Sequence, residues 1–217
     1  MIAEALQQLR SELPATVKLL AVSKFQPLEA LQEAYAAGQR RFGENRPQEL
    51  AAKAPVLPGD IEWHFIGHLQ TNKLKMVLPY AAIVESVDTL HLLEAIDAWG
   101  KANDKVIPVL LELHIGAEQT KQGFYEEEVL DLLFNAEKYA HVRFCGLMGM
   151  ASHTDEEDTV RADFTRIATF LRYLQDLFPE LEEFRELSIG MSEDWRIAVD
   201  CGSTEVRIGS AIFGPRV

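Results

Sequence analysis

Short apolar segments alternate with helical patterns along the chain. Residues 17–23, VKLLAVS, form a nearly continuous apolar run, which is the pattern of a strand covered on both faces. A helical pattern follows it, with Pro27 in the first turn and Gly38 as a stop signal. Residues 3–13 carry apolar positions at helical spacing before Pro14, and they predict an additional N-terminal helix ahead of this strand-and-helix unit.

The same unit recurs as far as the C-terminal region. Further strands are predicted at residues 40–43, 61–66, 82–87, 105–115 and 142–148, and two more begin at Leu187 and Glu205. Helices are predicted between them, including residues 71–80, residues 125–139, and a long amphipathic helix that opens with a capping box at residues 154–157. The chain therefore contains eight predicted units of strand and helix.

Eight such units predict an α/β protein with a closed (β/α)8 TIM barrel. We expect a single domain, residues 1–217, because no linker or low-complexity segment divides the chain. An open, doubly wound sheet is the alternative. The barrel is favoured because polar residues follow the ends of several predicted strands, and a barrel gathers these ends on one face. These residues are Lys24, Asn45, His64, Ser192, Gly209 and Ser210.

Charge and composition narrow the class of ligand. The chain has 21 Lys and Arg residues against 34 Asp and Glu residues, so its net charge is -13. A field of this sign opposes binding to nucleic acid or to an anionic membrane, and an anionic ligand would have to be held by local donors. The N-terminal residues show neither a basic start before an apolar core nor a long uninterrupted apolar stretch, which predicts a soluble, cytoplasmic protein.

Cysteine and histidine spacing gives no support for a metal site. Cys145 and Cys201 lie far apart without a CxxC spacing, so we expect two buried free thiols. His64 and His68 have the four-residue spacing of a helical zinc pair, but the segment HFIGH has the pattern of a strand and turn. On a strand these positions lie about 13 Å apart, too far for one metal ion.

Two predicted strands near the C-terminus end in glycine followed by a small hydroxyl residue. They give the turns at Gly190 to Ser192 and at Gly209-Ser210. Glycine lets the backbone approach an anion, serine adds a hydroxyl donor, and a helix that began at Ser192 would direct free amides at the same point. Barrels commonly hold phosphate after strands seven and eight. The pattern indicates a phosphate site, with two ordinary turns as the alternative.

Lys24 ends an apolar strand on the same predicted face, so its amine can project into the mouth of the barrel. A desolvated lysine attacks aldehydes and forms imines. Combined with a phosphate site, it suggests either a pyridoxal phosphate protein or an aldolase that forms a Schiff base with a sugar phosphate. A lysine that simply reaches water at a strand end is the alternative.

Arg207 would point in the same direction as Gly209, because alternate residues of a strand share a face. A guanidinium group beside the pyridine nitrogen of pyridoxal phosphate would disfavour ring protonation and weaken the cofactor as an electron sink. A salt bridge inside the barrel is the alternative.

Six segments in this order resemble one family over almost the whole chain. They are AVSKFQP, RFGENRPQEL, WHFIGHLQTNK, GLMGMAS, LSIGMSED and EVRIGSAIFG. They closely resemble the pyridoxal phosphate homeostasis proteins, which are single-domain relatives of the N-terminal barrel domain of alanine racemase. The resemblance implies a protein that holds pyridoxal 5′-phosphate and acts in the homeostasis of vitamin B6 and of amino and keto acids, by buffering or delivering the cofactor.

The resemblance also implies roles for individual residues. Lys24 would form a covalent aldimine with the cofactor, and Asn45 would line the cofactor face. Arg207 would face the pyridine nitrogen. The residues that would hold the phosphate are Ser192, Gly209 and Ser210. Relatives often have asparagine where this chain has His114, so no contact is assigned to the fifth strand.

Departures from the racemases favour a carrier over an enzyme. Racemases usually have a tyrosine where this chain has Leu28 and a histidine where it has Met150, and they possess a second domain with a catalytic tyrosine. Two-base racemisation is therefore not expected. The expected partners are the cofactor and either apo-enzymes or a regulatory protein, with the chain as a monomer. A racemase-like enzyme, and an interaction protein whose bound cofactor acts as a sensor, are the alternatives.

Overall fold

Eight parallel strands close into a barrel in the order of the sequence. The computed structural model describes residues 1–116 and 122–214. Each strand pairs in parallel with the next, and the last pairs with the first, with Lys18 opposite Glu205 and Ala21 opposite Ile208. The predicted (β/α)8 barrel is confirmed, and the closing pair of strands excludes an open sheet.

The helices and strands have the following bounds. The strands are β1 (Lys18–Val22), β2 (Arg41–Glu44), β3 (Glu62–Phe65), β4 (Ala81–Val87), β5 (Ile107–Glu112), β6 (Val142–Met148), β7 (Glu186–Ser188) and β8 (Glu205–Ile208). The helices are α1 (Ile2–Glu12), α2 (Leu28–Ala36), α3 (Pro47–Lys53), α4 (Leu74–Val77), α5 (Leu90–Asn103), α6 (Glu126–Leu133), α7 (Glu157–Leu177), α8 (Trp195–Asp200) and α9 (Ser210–Phe213). Short 3-10 turns occur at Ala54–Val56, Thr71–Lys73 and Ala136–Lys138.

The additional N-terminal helix is confirmed as α1, which buries Leu6 and Leu9. Two other predicted helices are shorter than expected. The helix expected at residues 71–80 is a 3-10 turn followed by α4, which stops two residues before Pro79 because proline has no backbone amide to continue the helical hydrogen bonds. The helix expected at residues 125–139 ends with α6 and resumes only as a 3-10 turn.

The capping box expected at residues 154–157 does not form. The hydroxyl group of Thr154 accepts a hydrogen bond from the amide of Glu156 at 3.2 Å, and α7 begins only at Glu157. A serine or threonine hydroxyl that bonds two residues ahead stabilises a turn instead of a helix start. The boundary was therefore wrong, while the long amphipathic helix itself is confirmed.

The barrel has two apolar layers of different size. The large one lies between the sheet and the helices and includes Val109 and Leu111 of β5. Leu110, which lies between them, faces the opposite side because alternate residues of a strand do so, and it forms a small separate cluster with Cys145 and Met148. The remaining interior is polar and charged. Its buried members include His64, Glu85, Glu112, Ser188, Glu205 and Arg207.

The two cysteines are free thiols, but only Cys145 is buried. Cys201 is partly buried, so the expectation of two buried thiols was wrong for this residue. It ends the short helix α8 on the outside of the barrel, 3.6 Å from the hydroxyl group of Thr165. Among the described residues, no helix has both the length and the apolar character needed to cross a membrane.

Candidate functional site

A cavity of about 890 Å³ opens at the carboxyl ends of the strands. The six residues assigned to the cofactor from the sequence all line it, although they come from four different strand ends. They are Lys24, Asn45, Ser192, Arg207, Gly209 and Ser210. His64 was expected at the same rim, but it lies within β3 and does not line the cavity. Parallel strands of a barrel end at one rim, which explains why residues so distant in the sequence meet here.

The two glycine-containing turns are in direct contact. The amide of Gly209 donates a hydrogen bond to the hydroxyl oxygen of Ser192 at 3.3 Å. Gly190 has φ +94°, and a Cβ atom at this position would lie 2.6 Å from the Cβ of Ala198. A residue with a side chain therefore cannot replace Gly190 without strain and displacement of α8.

The expected helix start at Ser192 was wrong. Residues 192–194 form a turn, and α8 begins only at Trp195. The carboxylate of Asp194 accepts the amide of Met191 at 2.6 Å. Burial raises the pKa of Asp194. Within residues 1–116 and 122–214, the backbone amides of Ser192, Glu193 and Ser210 have no hydrogen-bond acceptor. Donors for an anion thus come from the turn at residues 192–193 and from the first residue of the short helix α9, and not from the start of α8.

Lys24 lies in the turn directly after β1. It is half-buried and lines the cavity. Asn45 follows β2 immediately, on the neighbouring part of the wall. Gly67 packs against it so closely that a Cβ atom would lie 2.2 Å from the carbonyl oxygen of Asn45. The backbone around Asn45 is therefore fixed by contact with the next strand end.

Arg207 forms the floor of the cavity and is 5% exposed. One terminal nitrogen donates to the carbonyl oxygen of Ser188 at 2.6 Å and to its hydroxyl oxygen at 2.7 Å, and the other donates to the carbonyl oxygen of Gly149 at 2.9 Å. Among the described residues Arg207 forms no ion pair, so the alternative of a salt bridge inside the barrel was wrong.

A chain of hydrogen bonds continues below Arg207 into the barrel. The hydroxyl group of Ser188 donates to Oε2 of Glu85 at 2.6 Å, and Oε1 of Glu85 lies 2.6 Å from Nδ1 of His64. The same nitrogen lies 3.3 Å from Glu205. Burial favours a neutral imidazole, but the carboxylates of Glu205 and Glu85 outweigh it and raise the pKa of His64 well above its usual range.

His64, Glu85 and Glu205 also bring possible metal ligands within 4.8 Å of one another. Nδ1 of His64 contacts both carboxylates, so a proton on the imidazole ring can pair with the buried negative charge of Glu85 and Glu205 without a metal ion. His68, the other histidine of HFIGH, contacts Asp88 instead, with Nδ1 at 3.0 Å from Oδ2. The sequence analysis missed the buried triad, and the only available signal was the presence of glutamate within otherwise apolar strands.

The cavity wall opposite the turns is acidic. Glu112, at the end of β5, is buried, and burial together with the nearby carboxylate of Asp88 raises the pKa of Glu112 to about 7. His114 also lines the cavity, with its ring 5.6 Å from that of Tyr125. Within the described residues, Oε2 of Glu112 and Oδ1 of Asn45 accept no hydrogen bond. The part of the cavity formed by β5 therefore carries a carboxyl group, whereas the turns present amide donors.

Comparison with known proteins agrees with this geometry. The family described as "Alanine racemase, N-terminal domain" matches residues 1–217. The pyridoxal phosphate homeostasis protein of Pasteurella multocida is 37% identical over 218 residues, which cover 99% of this chain and 93% of that protein. PipY of Synechococcus elongatus with bound PLP is 38% identical, with a TM-score of 0.89 and coverage of 99% of this chain and 100% of that one.

Alanine racemase from Bartonella henselae, with covalently bound pyridoxal phosphate, shares only the fold. It is 16% identical, has a TM-score of 0.74, and is matched over 99% of this chain but 58% of its own length.

Proposed function

The chain belongs to the alanine racemase N-terminal domain family, within which its close relatives are pyridoxal phosphate homeostasis proteins, and on this premise we propose that it binds pyridoxal 5′-phosphate in the cavity. In this role it holds the cofactor inside the cell and takes part in the homeostasis of vitamin B6 and of amino and keto acids. The same proposal includes a monomeric, cytoplasmic carrier that delivers the cofactor to apo-enzymes.

The contact between the two turns, beside Lys24 in one cavity, is the observation that carries this proposal. The free amides of Ser192 and Ser210 suit a phosphate group, and this local cradle offsets the repulsion expected from a chain of net charge -13. When bound, the cofactor would supply an aldehyde group, with which a lysine amine condenses with loss of water. We propose Lys24 as that amine.

Arg207 favours a carrier over a catalyst. Its guanidinium group is held on the cavity floor by Ser188 and Gly149 and cannot accept a proton. If the pyridine nitrogen of the cofactor faced this permanent positive charge, ring protonation would be disfavoured, which would weaken the electron sink that amino-acid chemistry requires. Leu28 and Met150, at the positions where racemases usually carry tyrosine and histidine, supply no acid or base.

A racemase-like activity is the second candidate, and Glu112 is the observation that favours it. This carboxyl group lines the cavity with its pKa raised to about 7, which is suited to proton transfer near neutral pH. Solvent-deuterium uptake at the α-carbon of added amino acids separates the two functions. A carrier gives none, whereas an enzyme exchanges this proton and loses the exchange in Glu112→Gln.

The proposed cofactor site is tested by absorption spectroscopy with added pyridoxal phosphate, followed by borohydride reduction and peptide mapping. We expect an imine band and a reduced adduct on Lys24, both of which are lost in Lys24→Ala while this variant keeps its fold. An adduct on another lysine, or no adduct at all, would contradict the role of Lys24 and return a Schiff-base aldolase to consideration.

A further inference from the structure

Three charged residues that do not line the cavity contact the turn that carries Lys24. Lys53, the last residue of α3, is 7% exposed. Its ammonium group donates to the carbonyl oxygen of Ser23 at 2.9 Å, to Oε1 of Glu44 at 2.8 Å and to Oε2 of Glu49 at 2.9 Å. An ammonium group has three donors, so each of them is used by one of these contacts.

Glu44 and Glu49 extend the contact to both neighbours of Lys24. The carboxylate of Glu44, fully buried at the end of β2, accepts the hydroxyl group of Ser23 at 2.7 Å. Oε2 of Glu49 accepts the backbone amide of Phe25 at 2.8 Å. The residue before Lys24 and the residue after it are therefore tied to one buried charged cluster.

The turn itself has an unfavourable backbone geometry. Phe25 has φ 63°, in the left-handed region that side chains of this size rarely adopt. The guanidinium carbon of Arg46 lies over the ring of Phe25, 4.3 Å from the centre of that ring. Such a conformation persists only where the surroundings impose it, and here the amide of Phe25 is held by Glu49.

We propose that Lys53, Glu44 and Glu49 form a positioning cluster that sets where the Lys24 amine stands in the cavity. The inference rests on the proposed function, because it concerns the approach of that amine to a cofactor held at its phosphate end by the two turns. A misplacement of the amine by about 1 Å slows attack on a fixed carbon atom by up to roughly a hundredfold. None of its three side chains lines the cavity, so the cluster acts through Lys24.

A purely structural role predicts a different pattern of contacts. Attaching α3 to β2 needs only the ion pair of Lys53 with Glu44. The additional bonds end instead on the backbone of Ser23 and Phe25, on either side of Lys24. This arrangement constrains the direction of the intervening residue, which a helix attachment does not require.

The test compares imine formation with binding that needs no imine. The variants are Lys53→Met, Lys53→Arg as the conservative rescue, and Glu49→Ala, which frees the amide of Phe25 but leaves Lys53 paired with Glu44. The matched control is Lys18→Met, which removes a lysine that pairs with Glu186 at the opposite end of β1. The readouts are the rate of imine formation with pyridoxal phosphate, mapped to Lys24 after reduction, and the affinity for pyridoxine phosphate, which has no aldehyde.

We expect Lys53→Met and Glu49→Ala to slow imine formation at Lys24 at least about tenfold and to leave the affinity for pyridoxine phosphate within about twofold. Lys53→Arg should restore most of the rate, and Lys18→Met should match the wild type. If Lys53→Met does not fold, Glu49→Ala decides the question alone.

Two results would overturn the inference. The first is a rate of imine formation in Glu49→Ala and Lys53→Met equal to that of Lys18→Met, and the second is a rate that falls only in proportion to the affinity for pyridoxine phosphate. A wild-type protein that forms no adduct on Lys24 overturns the proposed function, and the inference with it. A wild-type adduct that the variants leave unchanged overturns the inference alone.

Discussion

The guanidinium group of Arg207 and the carboxylate of Glu85 share one hydroxyl group, that of Ser188. This hydroxyl accepts a hydrogen bond from Arg207 at 2.7 Å and donates one to Glu85 at 2.6 Å. The floor of the cavity is thereby connected to the buried group of His64, Glu85 and Glu205. Hydrogen bonds to ionised partners in a buried setting are stronger than neutral ones, so the position of Arg207 depends on charges below the cavity.

Ser188→Ala is expected to destabilise the protein by about 1–3 kcal/mol, because Oε2 of Glu85 loses its donor while fully buried. It should also shift the absorption band of bound pyridoxal phosphate, since Arg207 loses one of its three acceptors. Chemical denaturation and the visible spectrum measure the two effects. The control is Ser203→Ala, a buried serine that bonds only to backbone oxygens. Equal effects of the two variants on the spectrum would contradict this prediction.

Ser192→Ala is expected to weaken binding of pyridoxal phosphate about tenfold, the equivalent of roughly 1.4 kcal/mol, and to leave the affinity for unphosphorylated pyridoxal unchanged. The hydroxyl group of Ser192 connects the two turns through the amide of Gly209, so its loss affects the phosphate end of the cavity. Titrations with both ligands make the measurement. An equal loss for pyridoxal would show that Ser192 acts on the cavity as a whole.

Gly190→Ala should cost more stability than Gly202→Ala, although both glycines have positive φ angles. A Cβ atom at Gly190 meets Ala198 at 2.6 Å, whereas one at Gly202 meets nothing within 4 Å. We expect a loss of about 1 kcal/mol at Gly202 from the backbone alone and of roughly 2–4 kcal/mol at Gly190. Denaturant midpoints of the two variants give the comparison. Similar midpoints would mean that α8 shifts to admit the added methyl group without cost.

Glu112 predicts a pH dependence of the apoprotein's stability. The pKa of Glu112 is raised from 4.5 to about 7 by burial and by Asp88, against the opposing effects of Arg207, His68 and Gln122. Between these values the folded protein keeps a proton that the unfolded chain releases, so the stabilisation is complete below pH 4.5 and is lost as the pH rises through 7.

Relative to Glu112→Gln, the free energy of unfolding of the wild type should therefore fall by up to roughly 3 kcal/mol across this window. Urea denaturation at several pH values measures it. Glu127→Gln, which changes an exposed glutamate of α6, should follow the wild-type profile. Parallel profiles of the wild type and Glu112→Gln would mean that Glu112 has the same pKa in the folded and unfolded chain.

The barrel and the site that its strand ends form were predictable from the sequence. Apolar runs such as residues 17–23 mark strands covered on both faces, and the polar residues that follow them must meet at one rim once the barrel closes. Lys24, Ser192 and Gly209 were found in this way because their local signals, a strand end and a glycine turn, are encoded by neighbouring residues. Boundaries were less predictable, since the hydroxyl group of Thr154 bonds within a local turn that competes with a helix start.

The contacts that control these residues were decided by the tertiary structure. Glu85 and Ser188 are 103 residues apart, and Lys53 lies 30 residues from Ser23, so no local pattern connects them. The sequence by itself determined which residues stand at the strand ends, because hydrophobic periodicity is a property of adjacent positions. Barrel closure decided which buried charges face each other, and burial then made those contacts strong, because an ion removed from water must find its partners within the protein.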